Sequence, residues 1–362
     1  MKIAMVSKFP PAKDGIGIYS ENLVKSILKN EDKKSSEKAA KKEKIKIVKI
    51  GENDSDADYK ISFGSLFFYR NLKKIVEKEN VDLVHIQYIA PWYGRITLNW
   101  PLIFAMKMIK VPVVVTLHEV QYDEEDKSFK RKVLSFIEKK IIRRAKKIIV
   151  HTPKQVEFIA KKYSTIKAEY IYMGVDARKN VPKKGKNILF FGMIGEGKGA
   201  VDLIKARKEL QGFKIIIAGR PVTKEYENLL REEARNTDIE LKFEWISEEK
   251  KDKLYRWASV VVLPYRWAPY QSAVLHDAFS YGVPVTVTKT GAVWELVDEF
   301  KCGEIVEPEN PKMLAEGIKN TISKYKAYSK GVERYRKEAS WDEVGKKYAV
   351  MYEKILSHSR KI

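Results

Sequence analysis

The stretch Asn187–Ala206, NILFFGMIGEGKGAVDLIKA, constrains the fold more than any other part of the chain. Ile188–Phe191 is an apolar run of the length of a buried parallel strand. Gly192, Gly195, Gly197 and Gly199 follow, with Lys198 among them, and Ala200–Leu210 reads as a helix burying Val201, Leu203, Ile204 and Leu210. A strand, a glycine-rich turn, a lysine and a helix in that order suit a phosphate. N–H groups at a helix start point outward, and the helix dipole favours an anion there. Glycines let the backbone approach a ligand, and a lysine adds a point charge. Three readings fit the stretch. Gly192-x4-Gly197-Lys198 matches most of a P-loop, but Gly199 stands where a Ser or Thr would hold magnesium. The second reading is a tight turn that binds nothing. The third is a diphosphate loop of another kind, which depends on the rest of the chain.

A chain of 362 residues suits two domains. Its single cysteine, Cys302, excludes an internal disulfide and points to a reducing compartment. The opening MKIAMVSKFPP runs into strand and loop without the apolar core and cleavage site of a signal peptide. The apolar run VPVVVTL, 111–117, is far shorter than a membrane span. The expectation is a cytoplasmic protein, soluble or peripheral on the inner face of the membrane. A net charge of +22 suits nucleic acid, an anionic membrane or a phosphorylated substrate. A Lys/Glu-rich thermophile surface would balance nearer neutrality.

Lys2–Ser7 reads as the first strand. FPPAKDGIGIYS follows as a loop carrying Gly15 and Gly17, then a helix over Tyr19–Leu28. The order is again strand, glycine loop, helix, without G-x-G-x-x-G spacing. Residues 29–46 hold eight lysines and four acids and read as a solvated or disordered loop before a strand at about 45–50. Asp54, Asp56 and Asp58 alternate beyond it, but Tyr59 and Ser65 stand where an EF-hand loop needs Gly and Glu. A helix over Leu66–Lys78 precedes a strand over 81–89 that ends in His85, Gln87 and Tyr88. That end of a parallel strand borders a ligand crevice; packing among neighbours is the other reading of His85. A helix over 100–109 and the strand PVVVTLHEV, ending in His118 and Glu119, come next. Lys127–Lys147 has ten basic residues against one acid, Glu138, with Val133, Ile137 and Ile141 at helical spacing. It reads as a packed helix whose outer face suits an anionic membrane. KKIIVHTP, VEFIAKKY and AEYIYMGVD add a strand, a helix, and a last strand with its turn.

VPKKGK, about 181–186, is the expected linker. Beyond it, strands are expected at 187–191, 213–218, 239–244, 259–263 and 284–288. Helices are expected at 200–210, 223–236, 248–257, 273–281, 291–298 and 311–326, and Trp341 opens a final one. Two βα-alternating halves predict an α/β chain of two doubly wound, Rossmann-like domains, 1–181 and 182–340, facing a central cleft.

FFGMIGEGKG, LPYRWAPYQSAVLHDAFSYGVPV, VVVTLHE, VDLVHIQY and the YMGVD turn resemble the family-4 retaining glycosyltransferases of the GT-B fold. The block LPYR…QS…VLxDAxxxGxPV is the most specific part. The resemblance implies a hexosyltransferase using a UDP- or GDP-sugar, with the nucleotide mainly on the C-terminal domain and the helix 341–358 returning to the N-terminal one. It implies two catalytic residues, Lys198 against the leaving diphosphate and His118 at the reacting sugar. A diphosphate leaves more easily when cations and N–H donors meet its developing charge. Ser272 and Ala273 would supply backbone donors, and Asp277 would take the ribose hydroxyls. Gly192 would border the diphosphate, and the Gly15–Gly17 loop would approach it from the other side. Gln87 and Tyr88 would lie on the acceptor side. Such enzymes need no metal and no further cofactor.

Some positions depart from the pattern. Met193 and Gly195 stand where the family has an arginine, Pro269 where it has a first glutamate, Asp277 in place of the second, and Met173 in place of a histidine. A lost charged contact to a diphosphate is worth about 1.5–3 kcal/mol, and Arg220 and Arg266, both at strand ends, are the expected replacements. The leading reading is transfer with retention to an acceptor hydroxyl, on a lipid-linked or cell-surface glycan. With no enzymic nucleophile evident near His118, it proceeds by same-face attack guided by the leaving phosphate. The alternatives are a catalytically degenerate binding protein of the same fold and a nucleic-acid binder. The second of these rests on charge alone, without an RNA-binding motif or zinc-ligand pattern.

Overall fold

The computed structural model describes residues 1–11, 15–36, 44–93, 99–120, 129–164, 168–179, 185–268 and 271–359. The chain divides into two units, Met1–Gly174 with Trp341–Ile362, and Val175–Ser340. The division falls ahead of the expected linker because residues 175–178 are already tied into the second unit. The N–H of Val175 donates to the Ala339 carbonyl at 2.8 Å, and that of Arg178 to the Ser280 carbonyl at 2.9 Å.

The first unit contains β1 (Lys2–Val6), α1 (Gly15–Ser36), β2 (Lys46–Gly51), β3 (Tyr59–Lys60), α2 (Phe68–Lys78) and β4 (Leu83–Tyr88). It continues with α3 (Trp100–Met108), β5 (Val113–Leu117), α4 (Phe129–Arg144), β6 (Lys147–Val150), α5 (Pro153–Tyr163) and β7 (Ala168–Tyr170). The second unit contains β8 (Asn187–Phe191), α6 (Ala200–Ala206), β9 (Lys214–Ala218), α7 (Lys224–Glu233), β10 (Glu240–Lys242), α8 (Glu248–Trp257) and β11 (Val260–Leu263). Then come α9 (Ala273–Ser280), β12 (Val285–Thr288), α10 (Val293–Phe300), β13 (Gly303–Val306), α11 (Pro311–Ser323) and α12 (Tyr325–Glu338). The last helix, α13 (Trp341–Ser359), belongs to the first unit.

Each unit is one parallel sheet. The orders are β3-β2-β1-β4-β5-β6-β7 and β10-β9-β8-β11-β12-β13 among the described residues. Both follow the doubly wound pattern, in which the direction of winding reverses beside the first strand. Ligands gather outside the carboxyl ends at that reversal, here between β1 and β4 and between β8 and β11.

Strand side chains alternate faces, and the alternation sorts the first core into two layers. Ala4, Val6, Val84, Ile86, Val113, Val115, Ile148 and Val150 face the side covered by α2, α3, α4 and α5. Ile3, Met5, Leu83, Val114 and Ile149 face the other side, with Tyr19 and Leu23 of α1 and Val344, Tyr348 and Tyr352 of α13. In the second unit Ile188, Phe190, Ile215, Ile217, Val260 and Val262 pack with Leu203, Leu230, Leu314 and Ile318.

Several expectations are corrected. The loop expected to begin at residue 29 is helical to Ser36, with 37–43 outside the described residues. Asn30 and Glu31 are buried; the Asn30 amide donates to the Asp342 carbonyl at 2.9 Å, and Glu31 accepts the N–H of Ile45 at 3.1 Å. These contacts hold a stretch that composition alone reads as solvated. Gly15 and Gly17 stand in the first turn of α1 rather than in a loop. Strands β3 and β13 and the helix α12 were not expected. Helix α12 is rich in Lys and Tyr, and it is held by buried Tyr325, Val332, Tyr335 and Arg336.

Candidate active site

In the second unit the site is made from the loops that leave β8 and β11. After Gly192, at φ +113°, the chain forms a 3-10 turn over Glu196–Lys198 before α6 begins at Ala200. The expected outward row of N–H groups is therefore partly used up. Lys198 N–H donates to the Gly195 carbonyl at 2.9 Å, Gly199 to Glu196 at 3.1 Å and Asp202 to Gly199 at 3.0 Å. Gly199 has φ +68°, and a β-carbon there would lie 1.9 Å from the Pro264 carbonyl oxygen, so only glycine lets the two loops close. Arg266 locks them together. Its N–H donates to the Gly197 carbonyl at 2.9 Å, and its guanidinium reaches the Asp202 carboxylate through Nε at 3.0 Å and Nη2 at 2.7 Å. Asp202 is only 4% exposed, and a carboxylate buried that deeply requires such a partner.

Lys198 lies between these loops with Nζ 3.8 Å from the centre of the Tyr265 ring, a cation–π contact. Burial pushes its ammonium down to about 8. The hydroxyls of Tyr265 and Ser272 are 3.1 Å apart, and Ser272 immediately precedes α9. Leu275 and His276 return their N–H groups to the Ser272 carbonyl at 3.0 and 3.2 Å. Helix geometry leaves those of Ala273 and Val274 without intrahelical acceptors. Lys198, Ser272 and the start of α9 are thus gathered round one tyrosine. One turn further, Asp277 has Lys251 Nζ of α8 at 3.5 Å from each carboxylate oxygen. Burial raises the Asp277 carboxyl above the usual carboxylate range, and Lys251 opposes that shift.

The two replacement arginines differ. Arg266, expected to meet the diphosphate, is committed to Asp202, with Glu309 a further 3.8 Å from Nη1. Arg220 is exposed at the end of β9, and its carbonyl accepts the N–H of Ile194, which places it beside the glycine loop. Pro269 lies outside the described residues.

In the first unit a polar row runs across the face of the sheet that carries α1 and α13. His85 Nδ1 is 2.6 Å from the Tyr352 hydroxyl, and its Nε2 is 2.8 Å from the Thr116 hydroxyl and 3.3 Å from the Gln87 amide. The Gln87 amide is 2.7 Å from His118 Nε2, and His118 Nδ1 is 3.2 Å from His151 Nε2. His151 Nδ1 ends the row on the Ile171 carbonyl at 3.0 Å. The Tyr19 ring stands edge-on to His118, centroids 5.1 Å apart. All three histidines are buried, and burial depresses all three, His85 to about 3, His151 to about 4 and His118 well below its ordinary value. The row is neutral at physiological pH.

His118 thus follows β5 as expected, and the two residues expected on the acceptor side are both buried. Tyr88 points to the opposite face of the sheet, buried and stacked on Tyr93 at 5.9 Å, because its parity along β4 differs from that of His85 and Gln87. Gln87 is fully buried and holds His118. His85 is a packed, hydrogen-bonded histidine. His151, Asp202, Tyr265 and Lys251 were not anticipated. Parity was the available signal for His151, since it follows Ile149 by two on the face of Thr116 and His118.

Residues 35–179 match the family described as Glycosyltransferase Family 4, and residues 175–338 that described as Glycosyl transferases group 1. The two matches meet near the division between the units, and the chain belongs to these glycosyltransferases. An uncharacterized glycosyltransferase of Methanocaldococcus jannaschii is 30% identical over 176 residues, 46% of this chain and 44% of that protein. A second from the same organism is 25% identical over 367 residues, 98% of this chain and 99% of its own length. Sucrose-phosphate synthase of Thermosynechococcus elongatus superposes with a TM-score of 0.75 at 17% identity, over 99% of this chain and 100% of that one. The Anabaena protein Alr3699/HepE, solved with UDP and glucose, gives 0.66 at 15% identity, over 98% and 100%. These structures establish the fold as GT-B, with two α/β domains.

Proposed function

We propose that the protein transfers a hexosyl unit from a UDP- or GDP-sugar to an acceptor hydroxyl with retention of configuration. The observation that carries this reading is the cation held at the winding reversal of the second unit. Lys198 rests on Tyr265 beside the start of α9. A group depressed to about 8 is still mostly charged at pH 7, and it gains more from meeting a diphosphate than a solvated lysine would. Arg220 is the cation left exposed to supplement it. Asp277 takes the ribose hydroxyls, and His118 contacts the transferred sugar. In the same-face step the bond between the anomeric carbon and the diphosphate oxygen breaks and the acceptor oxygen bonds to that carbon. The acceptor proton passes to the departing phosphate oxygen. Lys198 and the α9 N–H groups meet the charge that develops, which is the metal-independent route. The UDP complexes of the Anabaena protein support a uridine donor.

The test is a thermal-shift screen with UDP, GDP and ADP, followed by donor hydrolysis and transfer with their sugars. Stabilisation by one diphosphate together with slow donor hydrolysis is expected. Stabilisation without hydrolysis or transfer would favour the degenerate binding protein, a reading supported by the commitment of Arg266 to Asp202. No response to any of the three would overturn the donor assignment.

We further propose that the acceptor is membrane-linked and that the first unit docks on anionic lipid. Among the described residues no helix is long and apolar enough to cross a membrane. Lys139, Arg143 and Arg144 are exposed on α4. Beside them Trp100, Phe104 and Met108 make an exposed stripe along α3, with the Trp100 and Phe136 rings 6.3 Å apart and Lys140 over Phe136 at 5.1 Å. Aromatic and cationic groups interleaved on one surface suit the headgroup region of an anionic bilayer.

A further inference from the structure

Hydrogen-bonding capacity along the buried row of the first unit fixes where its protons sit. The Ile171 carbonyl can only accept, so His151 Nδ1, 3.0 Å away, carries a proton. His151 is depressed to about 4 and therefore neutral, which leaves a lone pair on its Nε2. The atom facing that lone pair at 3.2 Å is His118 Nδ1, which must donate. His118, equally buried and neutral, then has its own lone pair on Nε2, and the atom facing Nε2 at 2.7 Å belongs to the Gln87 amide. An amide can be seated either way, and the proton count decides which. With the oxygen of Gln87 on His118, the pair His118–His151 must hold one proton beyond the neutral set. The structure seats Oε1 on His118, with Nε2 3.3 Å from both His85 Nε2 and Met5 Sδ; turning the amide puts its NH2 on His118, keeps both rings neutral and gives up only the weak contact to Met5 Sδ. The Gln87 oxygen then accepts from His85 Nε2, and His85 Nδ1 accepts the Tyr352 hydroxyl at 2.6 Å. An imidazolium on this pair, enclosed beside the Tyr19 ring, would meet the Gln87 amide and the Ile171 carbonyl but no carboxylate, so the neutral arrangement is the stable one.

We infer that His151 is a positioning residue that fixes His118 as the Nδ1–H tautomer, with the lone pair at Nε2. His151 is itself held by the bond from its backbone N–H to Gln155 Oε1, 2.7 Å, at the first turn of α5, where the Thr152 hydroxyl accepts the Gln155 N–H at 3.2 Å. The consequence rests on the reading of His118 as the residue at the transferred sugar. A sugar hydroxyl that reaches Nε2 in exchange for the Gln87 amide must donate, so the site selects a hydroxyl free to give its proton. It discriminates against a donor whose oxygen at that position is methylated.

Nitrogen-15 NMR of the histidine side chains in the full chain, without substrate and at pH 7.5, reads the tautomer directly. A protonated Nδ1 and bare Nε2 on His118 are expected; a proton on Nε2, alone or in addition, would overturn the inference. His151→Gln offers an oxygen to His118 and an amide to Ile171, and should keep both the tautomer and turnover within about threefold. His151→Leu removes the acceptor. His118 should then move its proton to Nε2 and kcat should fall about tenfold or more, with the donor KM little changed. An unchanged tautomer in the leucine variant overturns the inference. A changed tautomer with unchanged kcat upholds it and instead removes His118 from the sugar. The wild-type spectrum stands even if the leucine variant fails to fold.

Discussion

In the second unit the chemistry sits on loops. Lys198, Arg266 and Ser272 come from connections that glycine brings within touching distance, and the groups are charged or belong to the backbone. In the first unit, with the same strand order, the chemistry sits on the strands themselves. His85, Gln87, Thr116 and His118 project from one face of β4 and β5 and beyond its end, uncharged and hydrogen-bonded to one another. A leaving diphosphate presents dispersed negative charge, which cations and N–H donors at a strand–loop boundary can meet. A sugar presents hydroxyls, which neutral donors and acceptors of fixed orientation can read. On the proposed function, one winding pattern serves two kinds of ligand by moving the functional atoms between loop and strand.

The sharpest way to break this comparison is Lys198→Ala. Turnover should fall on the order of a hundred- to a thousandfold, as when one preorganised charge partner of a leaving group is removed. The melting temperature should hardly change, because removing a desolvated ammonium relieves its burial cost while losing its contact with Tyr265. Near-normal turnover would show that the loops of the second unit carry no catalytic charge. The pH dependence supplies a second reading of the same group. Since Lys198 loses its proton near 8, affinity of the free enzyme for the diphosphate should decline as pH rises through that value, measured by calorimetry between pH 7 and 9.5. Lys198→Ala should flatten that limb.

Next in size is Arg266→Met. If Arg266 positions the loops rather than binding ligand, the variant strands the Asp202 carboxylate and destabilises by about 1–3 kcal/mol. Diphosphate affinity should fall by about tenfold, and Asp202→Asn combined with it should recover much of the stability. A normal melting curve with lost affinity would return Arg266 to the ligand.

Much of this division was legible in the chain, and what was missed has physical causes. β8 and α8 fall on their expected residues because an unbroken apolar run and a Ser-initiated, acid-led helix start are local signals. Lys198 and His118 were marked by their place after strands. The pairing of Arg266 with Asp202 joins residues 64 apart through a loop closure that spacing does not encode. Helix α12 escaped because its buried side chains are mainly tyrosines and an arginine, with Val332 the lone aliphatic among them. Tyr88 was expected beside Gln87 because a strand end was read as a point near a ligand, whereas alternation puts it on the opposite face of the sheet.

Acid stability tests the first unit specifically. His85 and His151 are depressed to about 3 and about 4, against about 6.5 in an unfolded chain, so between those values the unfolded state binds more protons. Stability therefore rises with pH across this window and is lost as pH falls from about 6.5 toward 4. The slope is up to about 1.4 kcal/mol per histidine for each pH unit. Urea unfolding at pH 7 and pH 5 should show a lower midpoint at pH 5, and His85→Gln with His151→Gln should shrink the difference. An unchanged difference would mean that these rings are not neutral and enclosed.

The smallest effect on turnover is expected from the outer face of α4, where the comparison turns from ligand to surface. The inner row of the first unit carries no charge at pH 7, whereas Lys139, Lys140, Arg143 and Arg144 put four cations on α4. None is placed at a reacting atom, so changing all four to Glu should leave transfer to a soluble acceptor unchanged. Binding to a surface is another matter. Each cation near an anionic bilayer contributes about 1 kcal/mol, so four give about 4 kcal/mol of reversible docking. Screening shortens to about 3 Å at 1 M salt, so this part of the binding should disappear there. The stripe of Trp100, Phe104 and Met108 is insensitive to screening, and it should leave a weaker residue of binding at high salt that Trp100→Ser with Phe104→Ser removes. Co-sedimentation with vesicles of anionic and of zwitterionic lipid, at low and high salt, separates the two contributions. Binding to anionic vesicles that is lost in the Glu variant supports docking. No binding to anionic vesicles at low salt would end the membrane reading and leave a soluble acceptor.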